Sequence, residues 1–184
     1  MAAVQPAVSF SGGKKGTQGI VGLSFRGEFN QKVDGKGRMS IPADFRRVLE
    51  AGDPNHPETP NPRIVVLYGP HLKNCLHAYT IEAMAEIEAD IRALPRGSND
   101  RKIASKMILG KSWETEVDRD GRIVLPKDRR AQIELEGECV MVAMGDYFEI
   151  WNRATYERTE LAETEDFLAR QDDDFDPLSL LGSS

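Results

Sequence analysis

Two glycine-rich turns of related sequence carry the basic residues best suited to chemistry in this chain. The first turn holds Lys36 and Arg38, with Gly37 between them, and the second holds Arg119 and Arg122. The planar guanidinium of arginine can pair with two acceptors at once, on a phosphate or on the edge of guanine, and lysine adds a less directional charge. These residue types in tight turns predict contact with phosphate groups or with nucleic acid.

A second interpretation of the two arginines is purely structural. In each turn the arginine follows an aspartate by four residues, as Arg38 follows Asp34, so an ion pair can lock the turn. The two interpretations are compatible, because a turn braced by its aspartate can still present a lysine. The second turn has Asp120 where the first has Lys36, and a carboxylate there would repel phosphate. We therefore expect the first turn to dominate any binding.

The turns belong to an internal repeat that organises the chain. Residues 33–44 (VDGKGRMSIPAD) align without gaps on residues 117–128 (VDRDGRIVLPKD) at an offset of 84, and six of the twelve positions are identical. Phe29 falls on Trp113 at the same offset, so one aromatic residue matches another. The chain is therefore predicted to contain two copies of one small β-rich module.

Each copy is predicted to fold as strand, turn, strand, short helix, strand, strand, helix. Glycine occupies the turn position where a positive φ costs least. Thr80 and Asn152 are suited to cap the helices that follow the last strands, and Gly52 and Gly137 are suited to end the short helices. The later strands are apolar runs rich in β-forming residues, at 63–68, 76–80, 139–144 and 148–152.

Helical material is expected between the copies. Apolar residues three or four positions apart give a first helix one apolar stripe, made by Ile81, Met84, Ile87, Ile91 and Leu94. A second helix, capped by Asn99 or Asp100, carries Ile103, Met107 and Ile108. Both stripes are expected to pack against the predicted sheet.

The net charge of −6 hides two regions of opposite sign. Residues 157–184 contain nine acidic and two basic residues, so the rest of the chain carries +1. Residues 25–47 hold six basic residues against three acidic ones, and these include Arg26 and Lys32. Because charges are screened beyond about 8 Å at physiological salt, a basic patch can bind a polyanion despite a distant acidic tail.

Several classes of function find little support in the sequence. No apolar run approaches the roughly 18 residues of a membrane span, and residues 1–24 lack the apolar stretch of a secretory signal. Cys75 and Cys139 are expected to be buried free thiols in a reducing cytosol, with a disulfide as the alternative. Cys75 and His77 alternate on a strand, with His71 nearby, but two ligands do not make a zinc site. A phosphate-binding GxxxxGK loop and a nucleophile turn do not occur, so we expect no enzyme, metal, cofactor or small-molecule substrate.

The doubled motif resembles the MraZ family of bacterial transcriptional regulators, which have two AbrB-like (SpoVT-AbrB) domains. The resemblance rests on FRG at 25–27, DGKGR at 34–38, IP at 41–42 and their partners in the second copy, and it covers residues 25 to about 167. It implies an α+β fold in which a duplicated swapped-hairpin β-barrel with flanking helices assembles into a ring-forming homo-oligomer.

The resemblance also implies a function and a site. Family members bind short direct repeats in the promoter of the division and cell-wall gene cluster, which they usually repress. The DNA-contacting element of the family matches Lys36, Gly37 and Arg38 in the first copy, and its second-copy arginine matches Arg122. Asp120 departs from the neutral or basic residue that is commoner in the family.

The sequence therefore predicts a cytoplasmic, nucleoid-associated regulator that binds double-stranded DNA as a homo-oligomer. The candidate DNA-binding residues are Arg38, Lys36, Gly37, Arg122, Arg119, Lys32 and Arg26. An antitoxin-like module that binds a protein through its acidic tail is the alternative. The expected organisation is a disordered extension at 1–24, repeat 1 at 25–80, a helical connector at 81–112, repeat 2 at 113–156, a helix at 157–170 and a disordered acidic tail at 171–184.

Overall fold

The chain forms eight β-strands and six α-helices in the residues that the computed structural model describes, which are 23–172 and 174–182. The strands are β1 (Glu28–Lys32), β2 (Arg38–Ser40), β3 (Arg63–Leu67), β4 (Cys75–Tyr79), β5 (Ser112–Glu116), β6 (Arg122–Val124), β7 (Glu138–Ala143) and β8 (Tyr147–Asn152). The helices are α1 (Ala43–Ala51), α2 (Ile81–Ala93), α3 (Asn99–Met107), α4 (Lys127–Gln132), α5 (Arg153–Tyr156) and α6 (Ala162–Leu168). The remaining helical elements of the described residues are a 3-10 turn at Leu109–Lys111, a π-helical turn at Glu157–Leu161 and a 3-10 helix at Pro177–Gly182. The expectation for residues 1–24 falls almost wholly outside the described residues.

Six strands form one antiparallel sheet in the order β1-β7-β8-β4-β3-β5, and β2 pairs with β6 in a separate two-stranded ribbon. The repeats exchange strands, because β1 of the first repeat pairs with β7 of the second, and β5 of the second pairs with β3 of the first. The strand order is unchanged when the repeats are interchanged, so β4 and β8 meet at the centre of a two-fold arrangement. The α+β class is confirmed with an open sheet edged by β1 and β5, while the closed barrel and the ring stay predictions.

Alternation of side chains along the strands gives the sheet two different faces. One face carries the main core, into which Phe45 of α1 and Met39 and Ile123 of the ribbon pack. The other face is covered by α2, through Met84, and by α5, through Tyr156. The ribbon and α2 therefore lie on opposite faces of the sheet.

Side-chain caps determine where three of the helices begin. Thr80 and Asn152 cap α2 and α5 as predicted, and each side-chain oxygen accepts a hydrogen bond from a backbone N–H three residues later. The prediction for α3 is wrong by one residue, because Ser98 provides the capping oxygen and not Asn99 or Asp100. Ser98 comes first along the chain, so the other two residues enter the first helical turn.

Two expectations about the short helices and the connector are wrong. Gly52 ends α1 as predicted, but Gly137 does not end α4, which stops at Gln132. Gly137 instead precedes β7, where its carbonyl accepts a hydrogen bond from the backbone N–H of Val33 at 2.7 Å. The second stripe packs only at its end, where Ile108 contacts the cluster that includes Leu67 of β3, whereas Ile103 is 49% exposed because α3 itself buries none of its residues.

The long connection between α1 and β3 exists only in the first repeat, and Asp53 anchors it. The buried Asp53 carboxylate accepts hydrogen bonds from the Arg63 guanidinium at 2.7 and 3.1 Å, and from the backbone N–H groups of Arg63 and Asn55. These bonds, led by the side-chain bond from Arg63, lower the pKa of Asp53 to about 2. The connection is therefore held by a carboxylate that stays charged in mild acid.

The C-terminal segment holds more regular structure than its composition predicts. A 3-10 helix covers Pro177–Gly182, inside the segment expected to be disordered, and the rings of Phe167 and Phe175 meet at 5.7 Å between centroids. Apolar residues among the acidic ones give this segment local contacts. No helix in the described residues is long and apolar enough to cross a membrane.

Candidate nucleic-acid interface

The first turn is built around the carboxylate of Asp34. The backbone N–H of Gly37 donates to the carbonyl of Asp34 at 2.8 Å and closes the turn. One carboxylate oxygen of Asp34 accepts hydrogen bonds from the backbone N–H groups of Lys36 and Arg38, both at 2.9 Å. The other oxygen accepts from Nε of Arg38 at 2.7 Å. The ion pair that the sequence allowed is therefore present, and it occupies only one edge of the guanidinium.

The second turn repeats this arrangement around Asp118. One Asp118 oxygen accepts from the backbone N–H groups of Asp120 and Arg122 at 2.9 Å each, and the other accepts from Nε of Arg122 at 3.3 Å. A terminal nitrogen of Arg122 also pairs with the carboxylate of Asp120. Arg122 is therefore held by two acidic residues, whereas its counterpart in the first turn is held by one.

The two aspartates remain charged because their hydrogen-bond donors favour the carboxylate form. The pKa of Asp34 is lowered first by the backbone N–H of Arg38 and then by the Arg38 side chain. The pKa of Asp118 is lowered first by the backbone N–H of Arg122, with the side chain of Arg122 adding to the effect. Both turns thus keep their braces at neutral pH.

Backbone bonds tie the two turns to each other. The carbonyl of Gly37 accepts from the backbone N–H of Leu125, and the carbonyl of Gly121 accepts from that of Ile41, each at 2.8 Å. Both glycines have a positive φ, 83° for Gly37 and 74° for Gly121, as the turn chemistry predicts. Each turn is therefore fixed against the strand that leaves the other turn.

Pairing of β2 with β6 brings the two arginines onto one surface. Arg38 lies opposite Val124, and Arg122 lies opposite Ser40, so the arginines are diagonal neighbours on the ribbon, with Cα atoms about 7–8 Å apart. The central residue of each strand points into the core, and the flanking residues point outward. Arg38 and Arg122 therefore share the exposed face of the ribbon, where their side chains are 43% and 33% exposed.

The remaining basic residues of the turns are exposed at the tips. Lys36 and Arg119 are both solvent-exposed, and neither side chain forms an ion pair with another described residue. The first turn thus presents a lysine beside Arg38, whereas the second presents Arg119 beside a carboxylate. The four basic residues of the two turns are brought together in one region of the molecule.

The other two predicted site residues lie outside the turns. Lys32 lies at the end of β1, beside Ser40 at the edge of the ribbon, and forms an ion pair with Glu138 at 3.6 Å. Arg26 precedes β1 and donates to the Ser24 hydroxyl at 3.2 Å, beside the β7–β8 turn, where Phe25 bridges to Gly145. Arg26 is therefore at the opposite end of β1 from the first turn.

Sequence reasoning missed one more pair of arginines at the turns. Arg130 of α4 lies against Gly37 and donates from Nε to the Leu125 carbonyl at 3.2 Å. Arg46 of α1 lies against Gly121 in the equivalent position, with a buried Nε that has no partner in the described residues. Arg46 and Arg130 are themselves related by the repeat offset of 84, so extending the alignment by two residues would have found them.

The exposed face of the ribbon can therefore pair with acceptors on a polyanion, and its braced turns hold the arginines in place. Among the described residues, a group of metal-binding type, Cys75, His77 and Glu149, lies on the opposite face of the sheet. Metal chemistry at that group is thus separate from the interface of the turns.

The family model and the related proteins that match this chain all carry the name MraZ. The family model described as "MraZ protein, putative antitoxin-like" matches residues 24–100 and 108–177. The chain is 54% identical to the Transcriptional regulator MraZ of Ruegeria pomeroyi over 157 residues, which are 85% of this chain and 94% of that protein. It is 50% identical to the protein of the same name from Ruegeria sp. strain TM1040, over 88% of this chain and 96% of that protein. The similarity reaches Moorella thermoacetica, whose Transcriptional regulator MraZ is 34% identical over 83% of this chain and 99% of that protein.

Proposed function

This chain belongs to the MraZ family, and we propose that it is a transcriptional regulator that binds duplex DNA through the exposed face of the β2–β6 ribbon. The observation that carries the proposal is the pairing of β2 with β6, which places Arg38 and Arg122 on one solvent-exposed surface. The names of the related proteins support regulation of transcription.

The ribbon has dimensions and chemistry that suit the major groove of DNA. The major groove admits a two-stranded β-ribbon, and an arginine fork there can pair with O6 and N7 of guanine. Arg38 uses Nε for its aspartate, which leaves its terminal nitrogens for a base or a phosphate. Lys36 and Arg119 at the tips add charge that a flanking phosphate neutralises.

Assembly of several subunits would multiply the weak contacts that one ribbon makes with DNA. We propose that the chain forms a ring-shaped homo-oligomer of swapped-hairpin β-barrels, in which equivalent ribbons face the duplex. Head-to-tail contacts in a ring repeat the same surface in the same sense, and this matches short direct repeats as the target. The proposed operator lies in the promoter of the division and cell-wall gene cluster, and repression there is the proposed outcome, in a protein of the cytoplasm and nucleoid.

Binding to the chain's own upstream DNA tests the proposal. Arg38→Ala should weaken binding by about fivefold to 150-fold, because a bidentate arginine contact contributes about 1–3 kcal/mol. Arg92→Ala is the matched control, since Arg92 is an exposed arginine in an i,i+4 pair with Glu88 on α2, across the sheet from the ribbon. Fluorescence anisotropy measures both variants, and thermal melting checks that each is folded.

Salt dependence gives an independent measurement. The logarithm of the binding constant should fall with the logarithm of the salt concentration by about 0.9 for each phosphate that the protein neutralises. Equal losses in Arg38→Ala and Arg92→Ala, or salt-independent binding, would contradict the proposed interface.

A second candidate function is an antitoxin-like module that binds a basic partner protein through the acidic C-terminal segment. The nine acidic residues in 157–184 and the wording of the family description favour it. Deleting the residues after Arg170 separates the two functions. DNA affinity should persist or rise if the segment is a solvated appendage, whereas a basic partner protein that binds the full chain and not the shortened one would favour the second function.

A further inference from the structure

Three side chains of metal-binding type meet where the two repeats join at the centre of the sheet. Cys75 and His77 lie on β4, and Glu149 lies directly opposite His77 on β8. Their ligand atoms all lie within 4.8 Å of one another, and His77 Nε2 is 3.3 Å from a carboxylate oxygen of Glu149. The sequence offered only the first two residues, because Glu149 follows them by about 70 positions and becomes a neighbour only through strand pairing.

We propose that Cys75, His77 and Glu149 bind one zinc ion. Zinc accepts thiolate, imidazole and carboxylate ligands, whereas magnesium and calcium bind oxygen ligands almost alone. Three protein ligands leave the fourth tetrahedral position to a water molecule.

Neighbouring side chains hold Glu149 and His77 in place, as the neighbours of known metal ligands do. Trp151 donates from its indole N–H to one oxygen of Glu149 at 2.8 Å, and the other oxygen faces His77. The ring of Tyr147 stacks on the His77 imidazole with 4.6 Å between centroids. Such outer contacts fix ligand orientation and strengthen metal binding in known sites.

The site is shielded from water. Cys75 is buried, and the side chains of His77 and Glu149 are only 16% and 14% exposed. A thiolate and a carboxylate are costly to bury without a cation, so a divalent ion would stabilise both.

Bound zinc would also link the two repeats. Cys75 and His77 come from the first repeat and Glu149 from the second, on the two central strands of the sheet. A ligand that binds only the folded state stabilises it by mass action. We therefore expect metal removal to lower the melting temperature, independently of any DNA binding on the opposite face.

Cobalt spectroscopy on the full-length, untagged protein tests the proposal. After treatment with a chelator, titration with Co²⁺ should give one equivalent of tetrahedral cobalt, with visible d–d bands and a sulfur-to-cobalt charge-transfer band. Zinc should displace the cobalt and raise the melting temperature. Failure to bind either ion in stoichiometric amount would overturn the site, and would leave a His77–Glu149 pair braced by Trp151.

Matched variants identify the ligands. Cys75→Ser should abolish the charge-transfer band, whereas Cys139→Ser should retain it, because Cys139 is the buried free thiol on the core face. Glu149→Gln should weaken cobalt affinity at least about tenfold. A charge-transfer band that survives Cys75→Ser, or affinity unchanged by Glu149→Gln, would overturn the assignment even if the other variant misfolds.

Discussion

The two glycine turns have the same backbone and different charge. In both, an aspartate oxygen accepts two backbone bonds at 2.9 Å, and a glycine with positive φ closes the turn. The first turn presents Lys36, whereas the second presents Asp120, which pairs with the arginine of its own turn. The repeated motif thus fixes the shape of the turn, while two exposed positions, Gly35 or Arg119 and Lys36 or Asp120, decide how much positive charge the turn offers.

The glycines of the two turns differ in what surrounds them. A Cβ at Gly37 would overlap the backbone carbonyl of Leu125, whereas a Cβ at Gly121 would overlap the guanidinium of Arg46. A backbone atom held in a paired ribbon cannot move away, but the end of an arginine side chain can. The same residue type is therefore needed more strictly in the first turn than in the second.

The largest difference is expected from replacing these glycines by alanine. Gly37→Ala should lower the free energy of unfolding by about 3 kcal/mol, since strain at positive φ adds to a clash with backbone. Gly121→Ala should cost roughly 1–2 kcal/mol, for the strain alone, because Arg46 can shift. Urea denaturation of both variants measures the two values. Equal losses would show that the surroundings of the glycines do not matter.

The long connection of the first repeat provides a second contrast, because the second repeat has no equivalent of Asp53. The pKa of Asp53 is lowered to about 2 in the folded protein, so its stabilising effect is complete above the ordinary pKa near 4 and disappears as the pH falls towards 2. This pKa shift corresponds to roughly 2 kcal/mol at neutral pH.

Asp53→Asn should therefore lower the free energy of unfolding by roughly 2 kcal/mol at pH 7 and by much less near pH 2. Denaturant unfolding across this pH range measures the effect. Asp44→Asn is the control, since the Asp44 carboxylate is 66% exposed in its pair with Arg47. A loss independent of pH would assign the effect to packing and not to charge.

Exchanging the residues that distinguish the turns should exchange their roles. Asp120→Lys releases Arg122 from its second carboxylate and adds a positive charge, so DNA affinity should rise by up to about tenfold and the salt slope should steepen by about 0.9. Lys36→Asp should have the opposite effect. Anisotropy over a series of salt concentrations measures both, and a rise with Lys36→Asp would reverse the proposed order of the two turns.

The smallest effects are expected from residues outside the two turns. Arg26 lies roughly 20 Å along β1 from the first turn, well beyond the screening length of about 8 Å at physiological salt. Lys32 lies beside Ser40 at the edge of the ribbon, but its charge is paired with Glu138. Arg26→Ala and Lys32→Ala should each change DNA affinity by less than about threefold. A loss as large as that of Arg38→Ala would extend the interface along β1.

Local features of this chain could be predicted from its sequence, and distant pairings could not. The turns, the positive φ of Gly37 and the capping by Thr80 depend on a few neighbouring residues, so their chemistry is visible in the sequence. The cap of α3 could not be predicted in this way, because Ser98, Asn99 and Asp100 are adjacent and all three residue types are common caps.

The predicted site was incomplete for a related reason. Arg46 and Arg130 reach the turns from helices of the opposite repeat, and Glu149 meets His77 only through the pairing of β4 with β8. Their contacts follow from the exchange of strands between the repeats, which no local pattern encodes. Because of the same exchange, strands from residues 25–80 and 113–156 form one sheet together.

The exchange of strands also affects how the chain can fold while it is being synthesised. Glu28 pairs with Val142, so roughly 110 further residues must follow the first strand out of the ribosome before it finds its neighbour, and such distant contacts slow folding. A nascent chain that ends at residue 107 would carry β3 without β5 and β1 without β7, and unpaired strand edges promote aggregation. The first repeat therefore depends on the second to complete the pairing of its strands β1 and β3.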